Sequence, residues 1–135
     1  MYKIEYLPYL LWIALYWWYP ETIILCILFG GFMNYIYKHV LNYLLEKKSF
    51  SKIFYRPNNQ SKWGMPSGHA QIMGFLTCAF IYLKQWKIVA CLIPMNILVW
   101  YDKIQSGDHT QTQYIVGYLI GIMSVLPFVN IIAKG

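Results

Sequence analysis

The string Gly64-Met65-Pro66-Ser67-Gly68-His69 stands where a polar stretch gives way to an apolar one, and its residue types suit the capture of an anion. Pro66 and Ser67 are good helix starters, and a helix N-terminus offers unpaired N–H groups and a positive dipole end to a negative ligand. Gly68 lacks the Cβ that would keep a phosphate off the backbone, and His69, on the first turn, can give or take a proton. An ordinary capped helix whose histidine faces water would read the same way. A second histidine changes the balance: His109 lies in Asp102-Lys103-Ile104-Gln105-Ser106-Gly107-Asp108-His109-Thr110-Gln111-Thr112-Gln113, ahead of the last apolar run. With Lys38, Arg56 and Lys103 as nearby cations, these are the groups a phosphoryl-transfer site uses.

Each cation also has a plainer reading, since lysines commonly flank membrane spans. That reading is weakest for Lys38, because a charge followed by Val40, Leu41, Tyr43 and Leu44 is costly in lipid. Lys47, Lys48, Lys52 and Lys62 read as solvated loop. Other phosphoryl-transfer chemistries fail on inventory. The acidic residues Glu5, Glu21, Glu46, Asp102 and Asp108 include no cluster able to hold a pair of metal ions. Cys26, Cys78 and Cys91 all sit in apolar runs, so no polar loop carries a thiolate. No metal or other cofactor is expected.

The elements that must position these groups are helices in a membrane. At 135 residues, 59% hydrophobic and 12% charged, the chain is too apolar for a small soluble core and too short for two domains. Its apolar residues form runs instead of alternating at strand period, so they must be helices that satisfy their own backbone in lipid. The expectation is one all-α domain over residues 1–135, a polytopic membrane bundle of four to five transmembrane helices.

The runs are Tyr6 to Tyr19, Thr22 to Leu45, Ala70 to Leu83, Ile88 to Tyr101 and Tyr114 to Ala133. A span needs on the order of 20 residues, so the first, third and fourth are short. The first, loaded with Trp12, Trp17 and Trp18, suits an interfacial helix as well as a span. Pro94 interrupts the fourth. The polar loops Glu46 to Ser67 and Asp102 to Gln113 are separated by two spans and must open on the same side. The net charge of +6 fits phosphate groups, anionic lipid or topology, but no basic stretch is interleaved with aromatics as nucleic-acid binding would require.

At these residues the sequence resembles the type 2 phosphatidic acid phosphatase (PAP2) superfamily, whose pattern is Lys-x6-Arg-Pro, Pro-Ser-Gly-His, then Ser-Arg-x5-His-x3-Asp. The likeness runs from about Asn34 to Gly117, with the central motif complete as Pro66, Ser67, Gly68 and His69. Within the superfamily, the dolichyl diphosphatase group has stretches similar to Asn34-Tyr35-Ile36-Tyr37-Lys38-His39-Val40 and Lys62-Trp63-Gly64-Met65-Pro66, and glutamine where Gln113 stands. Three positions depart from the pattern. Leu45 takes the place of the first motif's arginine, with Arg56-Pro57 much further along; Lys103 replaces an arginine; Asp102 replaces a serine.

The resemblance implies a metal-independent membrane phosphatase acting on a lipid-linked phosphate or diphosphate. His109 would be the nucleophile that forms a phosphohistidine, and His69 the proton donor to the departing oxygen. Lys38, Arg56, Lys103, Ser67 and Gly68 would hold the phosphoryl oxygens, and Gln113 would orient the His109 imidazole. The alternative is a degenerate relative that binds lipid phosphates without turnover, or serves a structural role. The resemblance also implies the endoplasmic reticulum lumen for the site, whereas the lysine distribution would put it in the cytoplasm.

Overall fold

A computed structural model describes residues 6–45 and 66–134. They form α1 (Leu7–Tyr16), α2 (Pro20–Leu25), a π-helical segment (Cys26–Phe32), α3 (Met33–Leu45), α4 (Gly68–Tyr82), α5 (Trp86–Gln105), α6 (Gln111–Val125), a 3-10 turn (Leu126–Phe128) and α7 (Val129–Lys134). Strands are absent among the described residues, as expected for an all-α membrane bundle. Among the described residues, three stretches are long and apolar enough to cross a bilayer: Pro20–Val40, Trp86–Gln105 and Gln111–Ala133. α1 and α4 are shorter, with 10 and 15 residues.

α4 is the hub. It is apolar on all sides, which marks a helix enclosed by protein, and Ala70 through Leu76, Ala79 and Phe80 are all buried. The π segment, α3, α5, α6, α1 and α7 all pack on it. Thr22, Ile23 and Cys26 face this core from the second helix. α1 closes over the π segment through Trp12, whose indole N–H donates to Cys26 Sγ at 3.1 Å. Trp12 thus turns inward, while Trp17 and Trp18 stay exposed.

The closest packing is between α4 and α6. A Cβ on Gly74 would strike the carbonyl oxygen of Tyr118, one on Gly117 the backbone of Ser67, and one on Gly121 the carbonyl of Gln71. Gly117 and Gly121, four apart, form a small-residue stripe that lets two helix backbones touch. The contact pairs advance together along both helices, so α4 and α6 run parallel. The second helix runs antiparallel to them, with Phe29 against Gln71 and Asn34 against Pro66.

Two boundaries differ from the sequence expectation. α5 continues to Gln105, about a turn beyond Tyr101, because the charge of Lys103 is neutralised within the bundle. α6 begins at Gln111 because Thr110 caps it, so the second polar loop is much shorter than Asp102 to Gln113. At the end of α5, Gly107 has φ 77, a left-handed conformation suited to glycine. Its N–H donates to the Ile104 carbonyl at 3.2 Å and turns the chain towards His109.

Candidate active site

Ser67 caps α4 from an extended conformation (φ −71, ψ 121), its Oγ accepting from the Ala70 N–H at 3.3 Å. Thr110 caps α6 in a reciprocal box: its Oγ1 accepts from the Gln113 N–H at 3.2 Å, and Gln113 Oε1 accepts from the Thr110 N–H at 3.0 Å. The two helix starts are then tied together, because the Ser67 N–H donates to the Gln113 carbonyl at 3.2 Å. Two parallel helices thus bring their positive dipole ends to one place. Such ends repel each other, and an anion between them relieves the repulsion.

Both histidines stand at this end of the bundle. His69 lies on the first turn of α4, where its ring meets Tyr9 of α1 edge to face, with centroids 5.7 Å apart. His109 immediately precedes the Thr110 cap and is 3% exposed, and its N–H donates to the Lys103 carbonyl at 3.3 Å. The start of α4 and the start of α6 therefore lie at the same end of the bundle.

Lys103 is in the last turn of α5 and buried, with Nζ 3.2 Å from Asp108 Oδ2. An ammonium enclosed to this degree needs a counter-charge, and Asp108 supplies it, not the neighbouring Asp102. The remaining N–H groups of Lys103 leave it able to hold another oxygen.

Lys38 follows Asn34 by four residues, one turn further along the same face of α3. Asn34 is the link to α4: its Nδ2 donates to the Pro66 carbonyl at 2.9 Å and to Gln71 Oε1 at 3.1 Å. Gln71 Nε2 in turn donates to the Phe29 carbonyl at 2.6 Å. The nearest atom to a Cβ on Gly68 would be Asn34 Oδ1, at 3.1 Å, so the missing side chain also makes room for this brace. Arg56 and the start of the string, Gly64 and Met65, lie outside the described residues.

The structure thus brings Ser67, Gly68, His69, Lys103, His109 and Gln113 to one end of the bundle, with Lys38 a turn beyond Asn34 on the helix that braces it. The sequence reading missed Asn34 and Gln71 as braces, Tyr9 as the neighbour of His69, and the glycine seam. Signals existed for two of these: amides inside apolar runs are unfavourable in lipid unless paired, and glycines four apart mark close helix packing.

Comparison with known proteins bears on the same residues. The PAP2 superfamily pattern matches residues 15–134. The dolichyldiphosphatase of Saccharomyces cerevisiae is 29% identical over 113 residues, covering 71% of this chain and 46% of the yeast protein. The lipid A 4'-phosphatase of Helicobacter pylori is 38% identical over 66 residues, 48% of this chain and 33% of that protein. The chain therefore spans less than half the length of either relative. No solved structure matches it. A pattern that takes in α2 through α7 and both capped helix starts, on a bundle with three apolar helices of membrane length, makes this chain an integral membrane member of the PAP2 superfamily.

Proposed function

We propose that the protein is a metal-independent phosphatase of lipid-linked phosphates or diphosphates, working through a phosphohistidine. The observation that carries this reading is the joining of the α4 and α6 starts by the Ser67 N–H and the Gln113 carbonyl. It gathers an anion-attracting pair of helix ends and two histidines at one end of the bundle. An imidazole nitrogen of His109 attacks phosphorus, the bond to the lipid's oxygen breaks, and His69 gives that oxygen a proton. Water then loses a proton to His69 and attacks phosphorus, the P–N bond breaks, and phosphate leaves. Lys38, Arg56, Lys103 and the amides near Ser67 and Gly68 hold the phosphoryl oxygens, while Gln113, fixed in its capping box, steadies the His109 segment.

Similarity to the yeast relative supports a dolichyl diphosphate-like substrate, and the endoplasmic reticulum membrane is part of the same proposal. Similarity to the Helicobacter relative supports a phosphate on a lipid of the lipid A kind. One observation favours the second reading, a phosphate-binding relative without turnover: Asp108 already takes part of the charge that Lys103 would offer.

Orthophosphate release by the purified protein, across isoprenoid diphosphates and phosphatidic acid, tests the proposal. His109→Ala and His69→Ala are each expected to lower release by about 1,000-fold, on the scale of a lost nucleophile or acid–base group. Lys87→Ala, exposed at the opposite end of α5, keeps most of it. Full activity in the His109 variant removes the nucleophile, and inhibition by EDTA that a divalent metal reverses removes the metal-free mechanism. A radiolabelled phosphohistidine trapped from wild type separates turnover from binding alone.

A further inference from the structure

A side chain in a helix leans back over the turn that precedes it, and His69, on the first turn of α4, has no such turn beneath it. A surface for its ring comes instead from another element. Tyr9 of α1 meets the imidazole edge to face, with centroids 5.7 Å apart and planes at 75°. Only the packing of α1 on α4 brings the two together.

Tyr9 is itself held in place. Trp12, one turn further along the same face of α1, meets its ring edge to face with centroids 5.2 Å apart. The indole is pinned in turn to the second helix, where its N–H donates to the buried Cys26 Sγ and its ring lies against Gly31, a position at which a Cβ would come within 3.1 Å of it. An aromatic row of indole, phenol and imidazole therefore runs from the core to the start of α4. Ring edges are positive and ring faces negative, so each contact in the row favours one relative orientation over others. Tyr9 is 39% exposed, so replacing it changes the contact with His69 while costing the fold little.

We propose that Tyr9 is a positioning residue for His69, acting through the contact of its ring and not through its hydroxyl, and that it keeps the imidazole aimed at the departing oxygen. The inference rests on the phosphatase reading, in which His69 protonates that oxygen, and it adds α1 to the framework of the site. Without the Tyr9 ring the imidazole is released to other rotamers, and the aimed one loses population by about three- to tenfold, the scale of one such aromatic pair. A proton donor matters most for a basic leaving oxygen, so the loss must depend on the leaving group.

The test compares kcat/KM for dioctanoyl phosphatidic acid, whose alkoxide must be protonated as it leaves, with that for p-nitrophenyl phosphate, whose phenolate leaves unaided. This parameter covers the steps up to departure of the oxygen and is blind to later hydrolysis of the phosphohistidine. Tyr9→Leu is expected to lower the phosphatidic acid value about three- to tenfold and the p-nitrophenyl phosphate value by less than about twofold, while Tyr9→Phe keeps both. An unchanged Tyr9→Leu variant, an equal loss on both substrates, or a Tyr9→Phe variant as impaired as Tyr9→Leu overturns the inference. The proton NMR signal of the His69 ring, identified by its loss in His69→Ala, is read in parallel, because a neighbouring aromatic ring displaces it. If wild type hydrolyses neither substrate, the phosphatase reading fails; a signal shifted by Tyr9→Leu and kept by Tyr9→Phe still upholds Tyr9 as the support of the His69 ring, and a signal indifferent to Tyr9→Leu overturns it.

Discussion

The seam between α4 and α6 and the gap between α5 and α6 share one helix and meet their neighbours in opposite ways. On the α4 side, Gly117 and Gly121 leave no side chain between the backbones, and the two helix starts are locked together by the Ser67 N–H and the Gln113 carbonyl. On the α5 side, large residues such as Trp100, Tyr118 and Leu119 stand around an open volume. A site that must hold imidazoles and amides to a fraction of an ångström is built on the first kind of contact. The second kind leaves an open, apolar-walled space beside the α6 start.

The largest expected effect comes from forcing a side chain into the tight seam. Gly121→Leu drives carbon into the Gln71 carbonyl, a backbone group that cannot turn aside. The cost is about 3 kcal/mol or more, at the upper end of overpacking effects. Thermal unfolding in detergent should show a collapse of Tm together with all phosphate release. A Gly121→Leu protein that melts like wild type would mean that the seam is not the rigid element.

An intermediate effect is expected from the brace that holds the α4 start. Asn34→Ala leaves the Pro66 carbonyl and Gln71 Oε1 without their Asn34 donor, a loss of roughly 1–3 kcal/mol. Because the glycine seam is untouched, phosphate release should fall about tenfold, mainly in kcat, while the protein stays folded. Steady-state kinetics on a short-chain substrate reads this split. The smallest effect is expected in the gap. Leu119→Ala, at a side chain already half exposed, should shift stability by less than about 0.5 kcal/mol. If it destabilises the fold as much as Asn34→Ala does, the gap is packed core and the contrast disappears.

Much of this was legible in the residues. The apolar runs located every long helix to within a turn or so, and Ser67 followed by Gly68 announced the α4 start. Span parity put the two polar loops on one side, and the Ser67 to Gln113 bond places the starts of the helices that follow them together. What stayed hidden was set by partners far away in sequence. Lys103 looked like a loop cation because nothing local shows that Asp108 returns to neutralise it and lets α5 run on. Thr110 and Gln113 carry a capping-box pattern that the reading did not weigh, and so it began the last apolar run at Tyr114 instead of Gln111. Asn34 and Gln71 are separated by 37 residues, and only the antiparallel packing of the second helix on α4 joins them. The π-helical turn from Cys26 to Phe32 has no pattern that distinguishes it from ordinary helix.

The enclosure of α4 has a mechanical consequence. Its 15 residues amount to about 22 Å of helix, short of a hydrocarbon layer roughly 30 Å thick. Lipid acts on a helix through the surface it wets, and α4 is surrounded by its own neighbours. When the bilayer thickens or thins, the tilt that compensates falls on the outer spans. α4 itself is insulated from it, and α6 is held to α4 by the backbone contacts of Gly117 and Gly121, so the two capped starts keep their spacing when the membrane thickness changes.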